Sequence, residues 1–222
     1  MDMAKYFIGV VIIVLLAVGG YYVWDFIQKS EPVETLPVIQ EPTTRTYATS
    51  TFSITYPIGF IVDDAYAYEQ FENKPVQGVK FTIPETIATS TNLSSDTYIS
   101  VEWLPRAKTC TGDIYLPANV KTYELTEGRV EYSVATSSGA AAGNLYEEQV
   151  YAFTESSPCT AVRYFIHSPN IGNYLPAPDG GQAGELGAVR EFDRAALIRT
   201  FDAIRRSLQF VSANSTSTSA TP

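Results

Sequence analysis

The 222 residues carry 15 Lys plus Arg against 24 Asp plus Glu, a formal charge of -9. A field of that sign repels phosphate backbones, which argues against nucleic acid as a partner. Hydrophobic residues make up 45% and aromatics 13%, including 15 Tyr and 11 Phe, enough apolar surface to build a core and to exclude a disordered chain.

The N-terminus reads as a membrane anchor. Residues 1–5 form a short cytoplasmic stub, and Tyr6 through Trp24 is a run of 19 residues without a charge. As a helix it spans about 28 Å, against a hydrocarbon core of roughly 30 Å. Tyr21, Tyr22 and Trp24 cluster at one end, as rings favouring a headgroup layer do, and Lys5 stands at the other. The expectation is a single-pass transmembrane helix over 6–27, embedded in the lipid bilayer of a bacterial cytoplasmic membrane. Its N-terminus is inside and the bulk of the chain is extracytoplasmic. A cleaved signal peptide is the alternative, since Ala17, Val18, Gly19 and Gly20 supply small residues after the apolar run.

Residues 28–50 read as a spacer, because Pro32, Pro37 and Pro42 recur among Glu, Thr and Ser and favour extended chain. The domain is placed at 51–211. Within it the hydrophobic period is mostly two: Phe52, Ile54 and Tyr56, then Val79, Phe81 and Ile83, then Ile99, Val101 and Trp103. Glu127 and Gly128 fall between two β-rich segments, as in a hairpin. NLYEEQVYAF and TAVRYFIH add strands after the connectors SSGAAAG and ESSP, for six to eight in all. In the last of these, Val162, Tyr164 and Ile166 point one way, and Arg163, Phe165 and His167 the other. Asp193 caps a helix whose Leu197, Phe201, Ile204 and Leu208 form an apolar stripe, with Arg194, Arg199, Asp202, Arg205 and Arg206 off or beside it. The fold class expected is therefore α+β, an antiparallel β-sheet with a C-terminal amphipathic helix packed on it. Residues 212–222, SANSTSTSATP, are small and polar and read as a disordered tail.

TFSITYPIGFIV at the start of the domain and FDAIRRSLQF at its end resemble the corresponding ends of PsbP-like domains, the superfamily of the photosystem II extrinsic protein. That resemblance implies a sheet covered by helices and a scaffold that docks onto other proteins rather than one that catalyses. The order of anchor, Pro/Thr spacer, YPIGF, PCTAVRYFIHSPNIGNY and EFDRAALIRTFDAIRRSL also resembles single-pass envelope proteins of small-genome bacteria, a group with no assigned activity.

Cys110 and Cys159 are the only cysteines, and in an oxidising compartment they are expected to form a disulfide. Closing a loop of that length stabilises the fold by about 4 kcal/mol in the chain-entropy model. His167 is the single histidine and would have to be the base of any Cys-His or Ser-His-Asp site. It stands at the far end of its strand from Cys159, so it reads as a strand-end imidazole with a backbone or solvent partner. One His and two distant Cys give no zinc spacing, and neither a metal nor a cofactor is expected. Residues 178–187, with Gly180, Gly181, Gly184 and Gly187, lack a Gly-Lys-Ser/Thr ending and read as a loop. Asp63 with Asp64 and Glu147 with Glu148 read as solvated surface, neighbours on a strand pointing to opposite faces. Asn92 and Asn214 begin Asn-x-Ser/Thr sequons, relevant only in a eukaryotic source. Tyrosines at 66, 68, 146, 151, 164 and 174 either fill the core with hydroxyls at its rim or serve recognition. The candidate interaction surface is Tyr66, Tyr68, Asn170, Asn173 and Tyr174. The function expected is a non-catalytic, membrane-anchored binding or assembly module for another envelope protein. The alternative is an envelope hydrolase, or a small-ligand or glycan-binding protein, with a carboxylate-lined cleft.

Overall fold

In the chain's computed structural model, residues 43–69, 71, 74–174 and 189–211 are described. The apolar run 6–27, residues 28–42 of the spacer, the loop at 178–187 and the tail at 212–222 lie outside them. No helix among the described residues is long and apolar enough to cross a membrane.

Among the described residues eleven strands dominate. A small antiparallel sheet contains β1 (Thr44–Ala48), β2 (Phe52–Pro57) and β11 (Gln209–Phe210), in the order β1-β2-β11. The large sheet runs β3 (Ile61–Asp63), β5 (Val76–Thr82), β6 (Tyr98–Leu104), β10 (Cys159–Pro169), β9 (Asn144–Phe153), β8 (Val130–Ala141) and β7 (Thr122–Glu127), with β4 (Ala67–Tyr68) also paired to β5. Every strand pairing is antiparallel. The α-helices among the described residues are α1 (Glu85–Ala88), a single turn, and α2 (Arg194–Arg206).

The α+β class is thus corrected to a predominantly antiparallel β fold. Period-two patterning continues through segments without a strong apolar signal, so strands exceed the number expected. β1, TRTYA, is almost wholly exposed and sits inside the stretch assigned to the spacer. SSGAAAG is not a connector either: β8 continues to Ala141, and only Ala142 and Gly143, both at positive φ, make the turn. Small residues of low strand propensity pair there because β9 lies alongside, from Ser137 opposite Glu148 to Ala141 opposite Asn144.

The large sheet is buried on both faces. On the first, Phe52, Ile54 and Tyr56 of β2 alternate inward and meet Val79, Phe81, Ile99, Val101, Val162 and Tyr164. Leu197, Phe201, Ile204 and Leu208 of the α2 segment join the same core. Each such fully buried side chain contributes on the order of 1.5–3 kcal/mol. The Asp193 side chain caps α2 by accepting from the Ala196 amide at 2.8 Å. Ser207 pins its other end, accepting from Thr55 N at 2.9 Å and donating to Thr55 O at 3.0 Å. On the second face, the segment from Leu104 to Val120, with a 3-10 turn at Gly112–Tyr115, lies over Ala135, Val150, Ala152 and Ala161. Gly112 is required there, since a Cβ would stand 2.7 Å from Ala135 N and 2.9 Å from Ser133 O.

Candidate functional site

Strand parity sends Cys159, Ala161, Arg163, Phe165 and His167 of β10 to the second face. Register then sets Arg163 opposite Ser100 of β6 and Val150 of β9, diagonal to Glu102 and Glu148. Arg163 is fully buried. Its Nε donates to Glu102 Oε1 at 2.8 Å and its Nη2 to Glu102 Oε2 at 2.9 Å, a two-point ion pair. Nη2 also donates to Tyr115 O at 2.7 Å, and Nη1 to Glu148 Oε2 at 2.6 Å. Burial alone would lower the Arg163 pKa, but the two carboxylates outweigh it and raise it, so the guanidinium stays charged.

Tyrosines complete this cluster. The Tyr68 ring lies 3.6 Å under the Arg163 guanidinium, and its hydroxyl donates to Glu148 at 3.0 Å. Tyr66 donates to Glu102 Oε1 at 3.3 Å and shares a 2.9 Å bond with Tyr98 OH; Ser100 donates to the same carboxylate at 2.8 Å. Burial first, and the nearby Glu102 next, push the Tyr66 pKa far up, so this phenol acts as a neutral donor. Glu148 is the member that reaches solvent, with its side chain 16% exposed. Two carboxylates do face each other, but both are spent on one arginine.

The strip continues outward as an aromatic row. Tyr98 stacks on Phe165 at 4.9 Å, and Tyr146 stacks on His167 at 4.5 Å. Lys80 Nζ also lies 5.8 Å over the Tyr98 ring. His167 Nδ1 lies 2.8 Å from Asp96 Oδ1, and Nε2 3.2 Å from Asn144 Oδ1. The imidazole therefore has a carboxylate partner that its expected backbone or solvent environment omitted. Among the described residues no hydroxyl or thiol nucleophile lies at hydrogen-bond distance from its ring.

A second buried arginine closes the first face. Arg205 was placed off or beside the apolar stripe but is 1% exposed, lying over Tyr151 at 4.1 Å and Tyr132 at 4.7 Å. Its Nε donates to Tyr164 OH at 2.9 Å, whose hydroxyl in turn donates to Asp202 at 2.8 Å. Nη1 is 3.1 Å from Glu127 Oε2 but has no hydrogen bond. Glu127 also takes Arg206 through Nε at 3.0 Å and Nη2 at 2.9 Å. These two arginines, Arg206 first, hold the Glu127 carboxyl down at about 2 against the burial that opposes it.

The disulfide is present between Cys110 and Cys159, whose Cα atoms are 5.1 Å apart. Tyr115 OH donates to Cys159 O at 2.8 Å beside it. Among the candidate surface residues, Tyr66 and Tyr68 are 9% and 4% exposed and belong to the Arg163 cluster, a correction to their placement on a docking surface. Asn170 and Asn173 are exposed, but they hold a turn: Asn170 N and Asn173 Nδ2 both donate to Gly143 O, at 2.8 and 3.1 Å. Tyr174 is exposed. The pair Glu147 and Glu148 does point to opposite faces, Glu147 meeting Arg194 at 2.6 Å while Glu148 enters the buried cluster rather than solvent. Asn92, at the first sequon, is buried: its Nδ2 donates to Pro169 O at 2.9 Å and its Oδ1 accepts from Phe192 N at 3.0 Å. Among the described residues no group of three or more His, Cys, Asp or Glu could hold a metal ion.

Sequence reasoning missed the Arg163 cluster and the role of Asp96. Their one signal was an arginine inside an otherwise apolar strand, flanked by Val162 and Tyr164.

Neither a family model nor a curated protein matches the chain. A crystal structure of a protein from Bacteroides thetaiotaomicron is similar at a TM-score of 0.40 and 11% identity, over 78% of this chain and 50% of that one. The chain spans half the length of that protein, and a likeness at this level carries no argument about fold or function.

Proposed function

We propose that the chain is a non-catalytic binding or assembly module, held by its N-terminal apolar segment on the outer face of a bacterial cytoplasmic membrane, where it engages another envelope protein. The observation that supports this reading is the internal pairing of the clustered carboxylates and of the single histidine. Arg163 takes both Glu102 and Glu148, Arg205 and Arg206 take Glu127 and Asp202, and His167 is held by Asp96 and Asn144. An acid or base in a hydrolase must exchange protons with a substrate. Glu102 is fully buried, and Glu148 is tied to a guanidinium that cannot give up its proton, so the carboxylate-cleft alternative has less support.

The surface has the concavity that recognition uses. A groove of about 670 Å³ at one end of the two sheets is walled by Phe52, Trp103, Pro158, Phe210 and Val211. The PsbP-like resemblance points the same way, toward docking, and rests on the two end segments alone.

Chemical crosslinking of the full chain in its native membranes, followed by affinity purification, tests the proposal. A reproducible protein adduct is the expected result. Reproducible absence of any adduct across crosslinkers of different reach overturns it.

A further inference from the structure

We infer that the module recognises its partner through an acidic, partly apolar peptide segment of that partner, bound in the groove between the start of β5 and the loop that follows β6. This inference rests on the binding-module reading and names the chemistry of the partner. The groove has a volume of about 660 Å³, and its lining includes Lys74, Arg106 and Lys108 and, among the described residues, no Asp or Glu. Three cations with no carboxylate among the described lining residues stand out in a chain whose formal charge is -9. Local potential in a low-dielectric concavity is focused, so the groove attracts anions that the rest of the surface repels.

Its floor is rigid. Leu104, Ala107 and Ile114 line the groove and pack against the second core. The loop that bears Arg106 and Lys108 is stapled by the Cys110–Cys159 disulfide, and Tyr115 further along is held by Arg163 and Cys159. Cations mounted on a fixed frame lose less freedom on binding than cations on a mobile loop. The apolar floor favours a peptide over a phospholipid headgroup, which offers charge without side chains to bury. A membrane surface also meets the whole molecule, whose net negative field opposes an anionic bilayer, whereas a short segment meets the groove alone.

The test uses the full chain in a neutral detergent and a fluorescein-labelled peptide of alternating Glu and Leu, followed by anisotropy. Saturable binding is expected, weakened at least about tenfold by Arg106→Glu with Lys108→Glu, and weakened also as salt rises from about 0.05 M to about 0.5 M. The control is Arg45→Glu with Arg199→Glu, exposed positions on β1 and α2 that change the net charge equally. Equal weakening in both double variants overturns the inference, as does no saturable binding, or groove-dependent binding to phosphatidylglycerol vesicles instead of peptide. Crosslinking in native membranes separates this inference from the broader reading. Adducts lost only in the groove variant support both; adducts kept in the groove variant overturn the groove and leave the module reading standing; no adducts with either overturns both.

Discussion

Arg163 and Glu102, 61 residues apart in the chain, form a two-point ion pair across β10 and β6 with neither side chain exposed to solvent. Taking both charges out of water is costly, and their attraction offsets that cost only because Glu148, Tyr66, Ser100 and the Tyr115 carbonyl satisfy the remaining valences. Removing one partner leaves the other buried and unpaired. Arg163→Met is expected to destabilise the fold by about 3–5 kcal/mol. Arg163→Met with Glu102→Leu is expected to recover a large part of that loss, measured as a coupling in a double-mutant cycle by urea unfolding. Additive losses would mean that the two charges do not depend on each other.

Glu127 ties the end of α2 to β7 through Arg205 and Arg206, and its pKa is lowered from the ordinary 4.5 to about 2. A depressed carboxylate contributes stability that is complete above about pH 4.5 and is lost as pH falls toward 2. The side chain is 25% exposed, so with solvent screening Glu127→Gln is expected to cost only about 1–2 kcal/mol at neutral pH. The difference in stability between wild type and variant should shrink between pH 4.5 and 2. A difference that stays constant across that window contradicts the pairing.

The disulfide holds the loop that covers the second face. Cys110→Ser with Cys159→Ser is expected to lower stability by about 4 kcal/mol. Amide hydrogen exchange should rise first between Leu104 and Val120, because that segment depends on the staple, while β6 and the centre of β10 stay protected. Uniform loss of protection would show instead that the loop is not a separate unit.

Two backbone approaches admit only glycine. A Cβ at Gly78 would lie 2.6 Å from Val101 O, and one at Gly112 2.7 Å from Ala135 N. Gly112→Ala is expected to cost on the order of 2–4 kcal/mol, since backbone and not a flexible side chain stands in the way. Gly139→Ala, where nothing lies within 4 Å, should be near neutral by thermal melting.

Features that depend on local periodicity were legible in the sequence. The stripe Leu197, Phe201, Ile204 and Leu208 could be read because 3.6-residue spacing places it on one side of α2. The alternation in β2 appears in the structure as Phe52, Ile54 and Tyr56 buried between half-buried neighbours. The cysteine pair followed from there being two cysteines and from the expected compartment. Features that depend on tertiary neighbours were not legible. Arg163 looks solvent-facing by parity, and only the overlying segment with Tyr115 makes that face a second core. β1 has no apolar pattern because it is an edge strand, and the end of β8 pairs only because β9 is there. Glu102, Glu148 and Arg163 were each visible, but register alone brings them together.

The central claim is that the domain acts by presenting a surface and not by chemistry at its buried carboxylates. Photo-crosslinking from single positions of the full chain in native membranes tests it most directly, with the reactive group at Lys108 in the basic groove and at exposed Tyr123 on β7. The account predicts a discrete protein adduct from position 108, unchanged when Glu148→Gln is combined with it and absent from position 123. An adduct at 108 that disappears with Glu148→Gln while thermal stability is preserved would contradict it; no adduct at 108 overturns the groove alone, and the module reading falls with the absence of any adduct across crosslinkers of different reach.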